Sequence, residues 1–212
     1  MAKQAERHAA LRTRLIDAAE RTIADKGLAA LKARELAREA GCAVGTIYNV
    51  FEHLDELILC VGSRTLVMLD KALGAVPSAS PSGSTEAAVD DLVRLALAYL
   101  AFAATHTIRW RALFEHRMSE ARALPAWFVE QQQMLFAHVE RPVLTLLPAL
   151  DPDARRTLAR TLFSAVHGIV SLGLEEKLES LPLPALRDQL AGTVRAITAG
   201  RVELRSISPA GG

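Results

Sequence analysis

Residues 33–53 carry the side chains whose types and spacing fit contact with DNA. They read ARELAREAGCAVGTIYNVFEH, and the part near Val44–Val50 fits a short helix of the size that enters a DNA major groove. In that helix Asn49 can form two hydrogen bonds with an adenine, whereas Val44 can contact only the methyl group of a thymine. The chemistry predicted for this stretch is therefore recognition of base edges.

Two helices joined by a tight turn are needed to present such a helix, and the stretch has the residues that this unit requires. Counted from Ala33, Ala37 is fifth, where a small residue lets the two helices approach closely. Gly41 is ninth, where the chain turns and a positive φ costs glycine little. The positions that must be buried are all apolar, namely Leu36, Ala40, Cys42, Ile47 and Val50. A DNA-binding helix-turn-helix is the prediction, and a purely structural helix corner is the alternative.

The same region contains a motif of the form G-x-x-x-G-T-x-Y-x-x-F, carried by Gly41, Gly45, Thr46, Tyr48 and Phe51. It follows the helical run Leu15–Glu20 (LIDAAE) and the break Asp25–Gly27 (DKG). Over residues 10–62 the chain resembles the DNA-binding domain of TetR-family transcriptional regulators. The resemblance implies an N-terminal three-helix domain, whose last helix is the recognition helix, joined to a larger helical domain for ligand binding and dimerisation.

By the same resemblance, a set of polar and basic side chains is expected to contact DNA. Thr46 and Tyr48 match positions that bind phosphates, and Arg34 matches one that reaches a base or a phosphate. The arm before the first helix adds basic residues, for which a solvated charged tail is the alternative. The predicted contacts are Arg12, Arg14, Arg34, Val44, Thr46, Tyr48, Asn49 and His53, with Lys3, Arg7 and His8 in or near the arm.

Three residues depart from the family pattern. The Thr that caps the second helix is replaced by Lys32, and the Ser that caps the recognition helix is replaced by Ala43. Each lost cap is expected to cost about 0.5–2 kcal/mol. The Lys that starts the fourth helix and holds a phosphate is replaced by Leu54, for which His53 is a partial substitute. These changes leave the fold prediction intact and the strength of DNA binding open.

Composition and charge agree with this prediction. The chain has 212 residues, of which 50% are hydrophobic, enough for one or two domains with a substantial core. Residues 1–50 contain nine Lys/Arg and six Asp/Glu, so positive charge coincides with the helix-turn-helix although the net charge is only +1. Cys42 and Cys60 are too few for a disulfide framework and are expected in the core. With no signal peptide and no membrane span, the predicted location is cytoplasmic.

The chain shows no strand or hairpin pattern, so the fold is predicted to be all-α. Residues 1–53 comprise the arm and the helix-turn-helix, with a first helix near 8–26, and a connecting helix follows over 54–75. Residues 76–85, VPSASPSGST, predict a flexible loop before the helical region 86–212. The helices predicted in that region are 86–105, 107–121, 126–147, 152–179 and 184–202.

The C-terminal region is large enough for two functions, dimerisation and ligand binding. Small residues at helical spacing predict a four-helix dimer interface, with packing inside one chain as the alternative. The interface prediction consists of Thr161, Ser164, Gly168, Gly192 and Ala196. Aromatic and sulfur-containing side chains among histidines predict an apolar ligand pocket, with ordinary core packing as the alternative. The pocket prediction consists of Phe102, His106, Trp110, Phe114, Met118, Trp127, Met134, His138 and His167.

An enzyme is not expected, because the chain lacks a Gly-rich phosphate loop, a G-x-S-x-G motif, paired Glu-x-x-His motifs and Cys/His metal spacing. No cofactor and no metal are predicted. The overall prediction is a homodimeric repressor that binds a palindromic operator in double-stranded DNA and is released by a small hydrophobic effector. The alternative is a helical adaptor or scaffold that has lost specific DNA binding. Specific, salt-sensitive binding to a duplex separates the two.

Overall fold

Nine α-helices make up most of the described chain. The computed structural model describes residues 2–78, 84–119, 122–175 and 181–207, and these ranges contain no β-strand. The helices are α1 (Ala2–Lys26), α2 (Ala33–Ala40), α3 (Val44–Val50), α4 (Leu54–Gly74), α5 (Thr85–Thr105), α6 (Thr107–Glu115), α7 (Ala126–Leu146), α8 (Pro152–Gly173) and α9 (Leu183–Ile207), with a 3-10 turn at Leu28–Ala30. The all-α prediction is confirmed.

Helix boundaries differ from the predicted ones most at the chain start and at the ends of α6, α8 and α9. α8 ends at Gly173 rather than at residue 179, and α9 continues to Ile207 rather than ending at 202. α1 begins at Ala2 rather than near residue 8, because the first ten residues contain four alanines and neither Gly nor Pro, so nothing there stops a helix. α6 ends at Glu115, where the backbone becomes extended, well before residue 121. The predicted loop at 76–85 includes residues 79–83, which lie outside the described residues.

Contacts between residues divide the chain into two compact units. The first unit comprises Met1–Met68 and Thr105–Gln131, and the second comprises Leu69–Ala104 and Gln132–Gly212. Residues 105–131 thus fold with the helix-turn-helix, whereas the sequence division grouped them with the C-terminal region. The hydrophobic pattern of residues 105–131 could not indicate which unit they join, because a helix with one apolar face can pack against either core.

The core of the first unit is built from α1, α2, α3, α4 and α6. Ile47, at the centre of α3, and Phe51, just after it, are completely buried. Because a seven-residue helix is unstable by itself, this burial rather than helix length holds α3 in place. Ala112 of α6 belongs to the same cluster, and Trp110 beside it is also buried. These contacts explain why α6 folds with the N-terminal helices.

Gly41 makes the turn between α2 and α3. Its φ of +67° and ψ of 41° lie in the left-handed region, which costs other residues about 1–2 kcal/mol. The next residue, Cys42, donates its N–H to the carbonyl of Ala37 at 2.9 Å and so closes the end of α2. Ala37 is buried where the two helices meet. The roles predicted for Gly41 and Ala37 are confirmed.

Helices α8 and α9 pack against each other in the second unit. Asp151 caps α8, since one of its carboxylate oxygens accepts the N–H groups of Asp153 and Ala154, both at 3.0 Å. At the other end of α8, Gly173 lies against the buried side chain of Leu186 from α9. The absence of a side chain at Gly173 therefore sets how closely the two helices approach.

Gly173→Ala is expected to destabilise the protein by about 1–3 kcal/mol. A Cβ atom there would lie 2.6 and 2.7 Å from the two terminal carbons of Leu186, which is too buried to swing away. Urea denaturation followed by circular dichroism measures the change. Gly45→Ala in α3 is the matched control, because a Cβ there meets nothing within 4 Å. Equal stability of the two variants would contradict the prediction.

Candidate functional site

Helix α3 has one buried face and one exposed face. Ile47 points into the core, whereas Val44 is 38% and Tyr48 is 51% exposed. Val44 and Tyr48 are one helical turn apart and share a face, and the neighbouring Asn49 is exposed as well. Thr46 is half-buried. The exposed face thus combines apolar groups, a hydroxyl and an amide, which are the groups that contact thymine methyls, phosphates and adenine edges.

Exposed basic residues lie on the helices next to α3. Arg34 is exposed in the first turn of α2, and Arg14 is exposed on α1. Lys3 and Arg7 are exposed near the start of α1. His53, the proposed substitute for the missing lysine, has its Nε2 3.6 Å from the carboxylate of Glu52, so a negative charge stands beside it.

Arg12 is engaged within the first unit. Its guanidinium donates to Glu56 at 3.0 Å and to the Sγ of Cys60 at 3.2 Å, and it lies 4.9 Å from the centre of the Phe51 ring. Burial by itself lowers the pKa of Arg12, but the interactions with Glu56 and Cys60 outweigh it, so the pKa is raised. These contacts hold Arg12 in the fold, whereas the sequence placed it on the DNA backbone.

An ion network joins α1 to α4 and α6. The Glu20 carboxylate accepts hydrogen bonds from Arg64 and Arg109, and Arg64 also donates to Asp17 at 2.7 Å. Burial alone would raise the pKa of Glu20, but the two arginines more than compensate and lower it. An arginine on an amphipathic helix usually faces solvent. The side chain of Arg109 is instead largely buried against Glu20, because α1, α4 and α6 converge there.

A second polar cluster forms at the start of α4. One oxygen of Asp55 accepts the N–H of Ser119 at 3.1 Å and also its hydroxyl, and the other oxygen is 3.4 Å from Nε2 of His116. Burial alone would raise the pKa of Asp55, but Ser119 and the nearby positive charges lower it. Burial lowers the pKa of His116, and the attraction of Asp55 only partly offsets this.

An aromatic cluster in the second unit consists of Tyr99, Phe136, Phe163 and His167. The Tyr99 hydroxyl and Nδ1 of His167 form a hydrogen bond of 2.8 Å. The Phe163 ring stacks on the His167 ring at 5.6 Å and meets Tyr99 and Phe136 edge to face at 5.5 and 5.4 Å. Burial lowers the pKa of His167, which favours its neutral form. The cluster therefore combines flat apolar surface with one polar pair.

The residues of the pocket prediction are divided between the two units. The second unit holds Phe102, Met134, His138 and His167. Of these, Phe102 is buried near the cluster's Tyr99 on α5, Met134 is exposed, and Nε2 of His138 pairs with Asp70 at 2.8 Å. His138 thus has a carboxylate partner within its own unit.

The other residues of the pocket prediction belong to the first unit. They are His106, Trp110, Phe114, Met118 and Trp127. Trp110 is buried and meets Phe114 edge to face at 5.6 Å, while Trp127 contacts Phe128 in the same way at 5.4 Å. Trp127 and Phe114 are each about two-fifths exposed. His106 and Met118 are half-buried. Trp110 thus supports the core of its own unit.

The predicted interface residues all lie in the second unit and leave open space around them. Cβ atoms built on Gly168 or Gly192 meet nothing within 4 Å, and Ala196 is exposed. The hydroxyls of Thr161 and Ser164 donate to carbonyls one turn earlier in α8, each at 2.9 Å. Packing inside the chain does not require these residues to be small.

The second unit also has an open groove of about 580 Å³. It is lined by Thr85, Glu86, Val89, Asp90, Arg195, Thr198 and Ala199. Arg195 pairs with Asp90 at 2.9 Å, and no residue of the pocket prediction lines the groove. Within the described ranges, no three His, Cys, Asp or Glu side chains gather as a metal site needs. No helix in those ranges is long and apolar enough to cross a membrane.

Two family models match the chain. One, described as bacterial regulatory proteins of the tetR family, matches residues 15–60, and the other, a tetracyclin repressor-like C-terminal domain, matches residues 92–197, which is half of the chain. This chain belongs to the TetR family of transcriptional regulators. The first match contains α2 and α3, so the exposed face of α3 belongs to the DNA-binding helix-turn-helix of a TetR-family regulator.

Solved structures share the TetR-family fold over nearly the whole chain. A protein of unknown function from Rhodococcus sp. RHA1 has a TM-score of 0.67 at 24% identity, covering 90% of this chain and 94% of its own. A tetR-family regulator from Streptomyces coelicolor has a TM-score of 0.61 at 19% identity, covering 91% and 83%. RolR in complex with resorcinol has a TM-score of 0.65 at 16% identity, covering 96% and 97%. No curated protein matches the sequence.

The departures from the TetR-family pattern are visible at both helix starts. Lys32 and Ala43 precede α2 and α3 with extended backbones, and neither side chain accepts a hydrogen bond from the helix N–H groups. The N–H groups of Glu35 and Thr46 donate instead to the backbone carbonyls of Lys32 and Ala43, at 3.1 and 2.9 Å. The N–H groups that precede them in each helix are left for water or a DNA phosphate. The helix starts of this TetR-family protein are thus weakly capped, while its core positions are intact.

Several residues that organise the two units were not among the predicted site residues. Asp55 resembled an ordinary acidic residue in the first turn of a helix, and its partner Ser119 is 64 positions away, so no local pattern indicates the contact. Phe163 did leave a signal, because it precedes His167 by four residues and therefore shares its helix face.

Acidification below about pH 6.5 is expected to lower the free energy of unfolding. Burial depresses the pKa of His116 and of His167 in the folded state, so the unfolded chain takes up protons first as the pH falls. This stability is present above the ordinary histidine pKa of 6.5 and is lost below it. Asp55, whose folded pKa is also lowered, extends the loss to more acidic pH.

Urea unfolding at a series of pH values between about 8 and 5 measures this dependence. The double variant His116→Gln/His167→Gln is the matched comparison, and its stability should change less over the same range. A wild-type protein whose stability does not fall on acidification would contradict the prediction.

Proposed function

We propose that this TetR-family regulator is a homodimeric repressor that binds a palindromic operator and is released by a small hydrophobic effector. The observation that carries the DNA-binding part is the exposed face of α3, where Val44, Tyr48 and Asn49 stand beside each other. Arg34 and Arg14 supply positive charge on the two helices next to α3. Such a surface fits a major groove between two phosphate strands.

Dimerisation follows from the size of the recognition helix. One seven-residue helix contacts only a few base pairs, so specific binding needs two copies and two half-sites. The open, small-residue faces of α8 and α9 support an interface there, because helices from a second copy can approach closely. The hydroxyls of Thr161 and Ser164 already donate within α8, so burying them at an interface does not leave these two donors unsatisfied.

The aromatic cluster of the second unit supports an effector with a flat, mainly apolar body. Phe136 and Phe163 offer aromatic surface, and the Tyr99–His167 pair can exchange its mutual hydrogen bond for one to a ligand hydroxyl. RolR, which shares the fold, was solved with resorcinol, a small aromatic molecule with hydroxyl groups. We therefore assign the effector to the same chemical class, with Phe102, Met134 and His138 as further residues of the same unit.

For an effector to release the protein from DNA, it must bind the conformation that cannot bind DNA more tightly than the conformation that can. An effector that binds the DNA-incompetent conformation better lowers operator affinity, and the coupling is reciprocal. An effector that binds both conformations equally changes nothing, however tightly it binds.

Resorcinol, used as a probe, should bind the protein and weaken its binding to an operator selected from a random duplex library. Calorimetry measures the first effect and a gel-shift titration the second, and both should have one midpoint when free ligand is in excess. Tyr99→Phe and His167→Leu should each shift that midpoint upward by about five- to tenfold, because each removes a hydrogen bond worth about 1–1.5 kcal/mol. Binding without any change in operator affinity would deny the cluster a regulatory role.

A helical adaptor without specific DNA binding is the second candidate, and the observations that favour it are the uncapped starts of α2 and α3 and the leucine at position 54. Selection of DNA duplexes from a random library distinguishes the two candidates. A repressor selects a palindromic duplex with an affinity that falls steeply as salt rises, whereas an adaptor selects none.

A further inference from the structure

We propose that Arg12 is a positioning residue that holds the end of the recognition helix, rather than a residue that binds DNA. The proposal rests on the DNA-reading role of α3 given above. In this role Arg12 acts within the protein, whereas a basic residue on α1 would ordinarily be expected to contact a DNA phosphate.

Arg12 connects three helices. It extends from α1, its guanidinium lies 4.9 Å from the centre of the Phe51 ring at the end of α3, and it donates to one oxygen of Glu56 in α4 at 3.0 Å. The same guanidinium nitrogen donates to the Sγ of Cys60 one turn further along α4, at 3.2 Å. A planar cation can stack on a ring and donate at its edge at once, and lysine cannot.

Glu56 transmits the contact to the turn between α3 and α4. Its second carboxylate oxygen accepts the backbone N–H of Glu52 at 3.1 Å. The carboxylate is therefore shared between Arg12 on α1 and the first residue after Phe51. If Arg12 is lost, Glu56 keeps only the contact to the turn and is free to move with it.

His8 adds a contact of the same kind one turn earlier on α1. Its Nε2 lies 3.3 Å from the backbone carbonyl oxygen of Asn49. His8 and Arg12 are four residues apart and share a helix face, so α1 touches both Asn49 and Phe51. The end of α3 is thus held from one side by two side chains of α1. Since α3 lacks a side-chain cap at its start, these contacts at its end add to the burial of Ile47 in fixing its position.

Hydrogen exchange without DNA tests the positioning role. Phe51 donates its N–H to Ile47 at 2.8 Å and Glu52 donates to Glu56, so both amides report on the end of α3. Arg12→Gln should accelerate exchange of both by about tenfold, and Arg12→Lys should not restore the wild-type rate. Unchanged exchange at both amides in Arg12→Gln would overturn the proposal, whether or not the protein binds DNA.

The salt dependence of operator binding separates positioning from phosphate contact. A lost phosphate contact lowers the slope of log affinity against log salt by about 0.9 per site. Arg12→Gln should weaken binding with an unchanged slope. Arg14→Gln, an exposed cation on the same helix, is the matched control and should lower the slope by about one contact in each subunit. An equal fall in slope for both variants would make Arg12 a phosphate ligand and overturn the proposal.

A double-mutant cycle tests whether Arg12 acts on the end of α3 through Glu56. Glu56→Gln should weaken operator binding, and adding it to Arg12→Gln should weaken binding no further, because one connection is broken in either case. Additive losses would show that Arg12 does not act through Glu56. If Arg12→Gln does not fold, the cycle and the exchange measurement are made with Arg12→Lys, which keeps the charge and loses the stacking geometry.

Discussion

Tyr48→Ala and Arg34→Ala should each weaken operator binding by about ten- to a hundredfold while leaving the helical content unchanged. Each side chain is exposed in the free protein, so its loss removes no core contact. The loss of the contact in both subunits is expected to cost about 1.4–2.8 kcal/mol in total, which corresponds to ten- to a hundredfold in affinity. A gel-shift titration at fixed salt measures the affinity, and circular dichroism verifies the fold.

Two control variants separate the effect of losing a positive charge anywhere on the protein from the effect of losing a direct contact to DNA. Arg156→Ala removes an exposed cation from the second unit, where it pairs with Asp153, and should leave affinity nearly unchanged. Tyr48→Phe keeps the ring and removes the hydroxyl, so it divides the Tyr48 effect between sugar contact and phosphate hydrogen bonding. Full operator affinity in both alanine variants would refute the assignment of α3 and α2 to the DNA surface.

Gly168→Leu should shift the protein from dimer to monomer, with a dissociation constant at least about thirtyfold higher than that of the wild type. A Cβ atom at position 168 meets nothing within 4 Å in its own chain, so the substitution starts in open space and the monomer is expected to fold. In the proposed interface it would hold two closely packed helices apart, and overpacking of this kind costs about 1–3 kcal/mol for each of the two copies. Sedimentation velocity over a concentration series measures the change.

A matched variant keeps this test specific. Gly45→Leu adds the same side chain at another open helical glycine, in the first unit, and should leave the assembly state unchanged. If Gly168→Leu sediments as a wild-type dimer at all concentrations, the interface lies elsewhere on the molecule.

Local signals in the sequence predicted the helix-turn-helix correctly. The turn depends on one residue, Gly41, whose positive φ is a property of glycine itself. The buried positions depend on apolar periodicity, and Leu36, Ala40 and Ile47 are buried as expected. Cys42 and Val50, also expected to be buried, are half-buried and pack against the same core. The cap at Asp151 is local in the same way, because a capping residue bonds to N–H groups two and three positions away.

Contacts between distant segments could not be predicted in this way. Arg12 has the same appearance in the sequence whether it faces a phosphate or Glu56, which is 44 positions away. The ion network around Glu20 joins residues up to 89 positions apart, and no periodicity records it. The aromatic residues of α5 to α8 were recognised as a class, but their division between two cores depends on packing that a single helix pattern does not determine.

The DNA-reading part of this molecule is not a detachable N-terminal fragment. Since residues 105–131 complete the core around α1 and α4, a protein engineer who grafts only the first 68 residues onto a foreign sensor would strip away Trp110 and Ala112. The graft would expose apolar surface and lose Arg109, one of the two arginines that neutralise Glu20. A hybrid biosensor built from this regulator should therefore replace residues 69–104 and 132–212, which form the second unit. It should keep residues 105–131 together with the recognition helix.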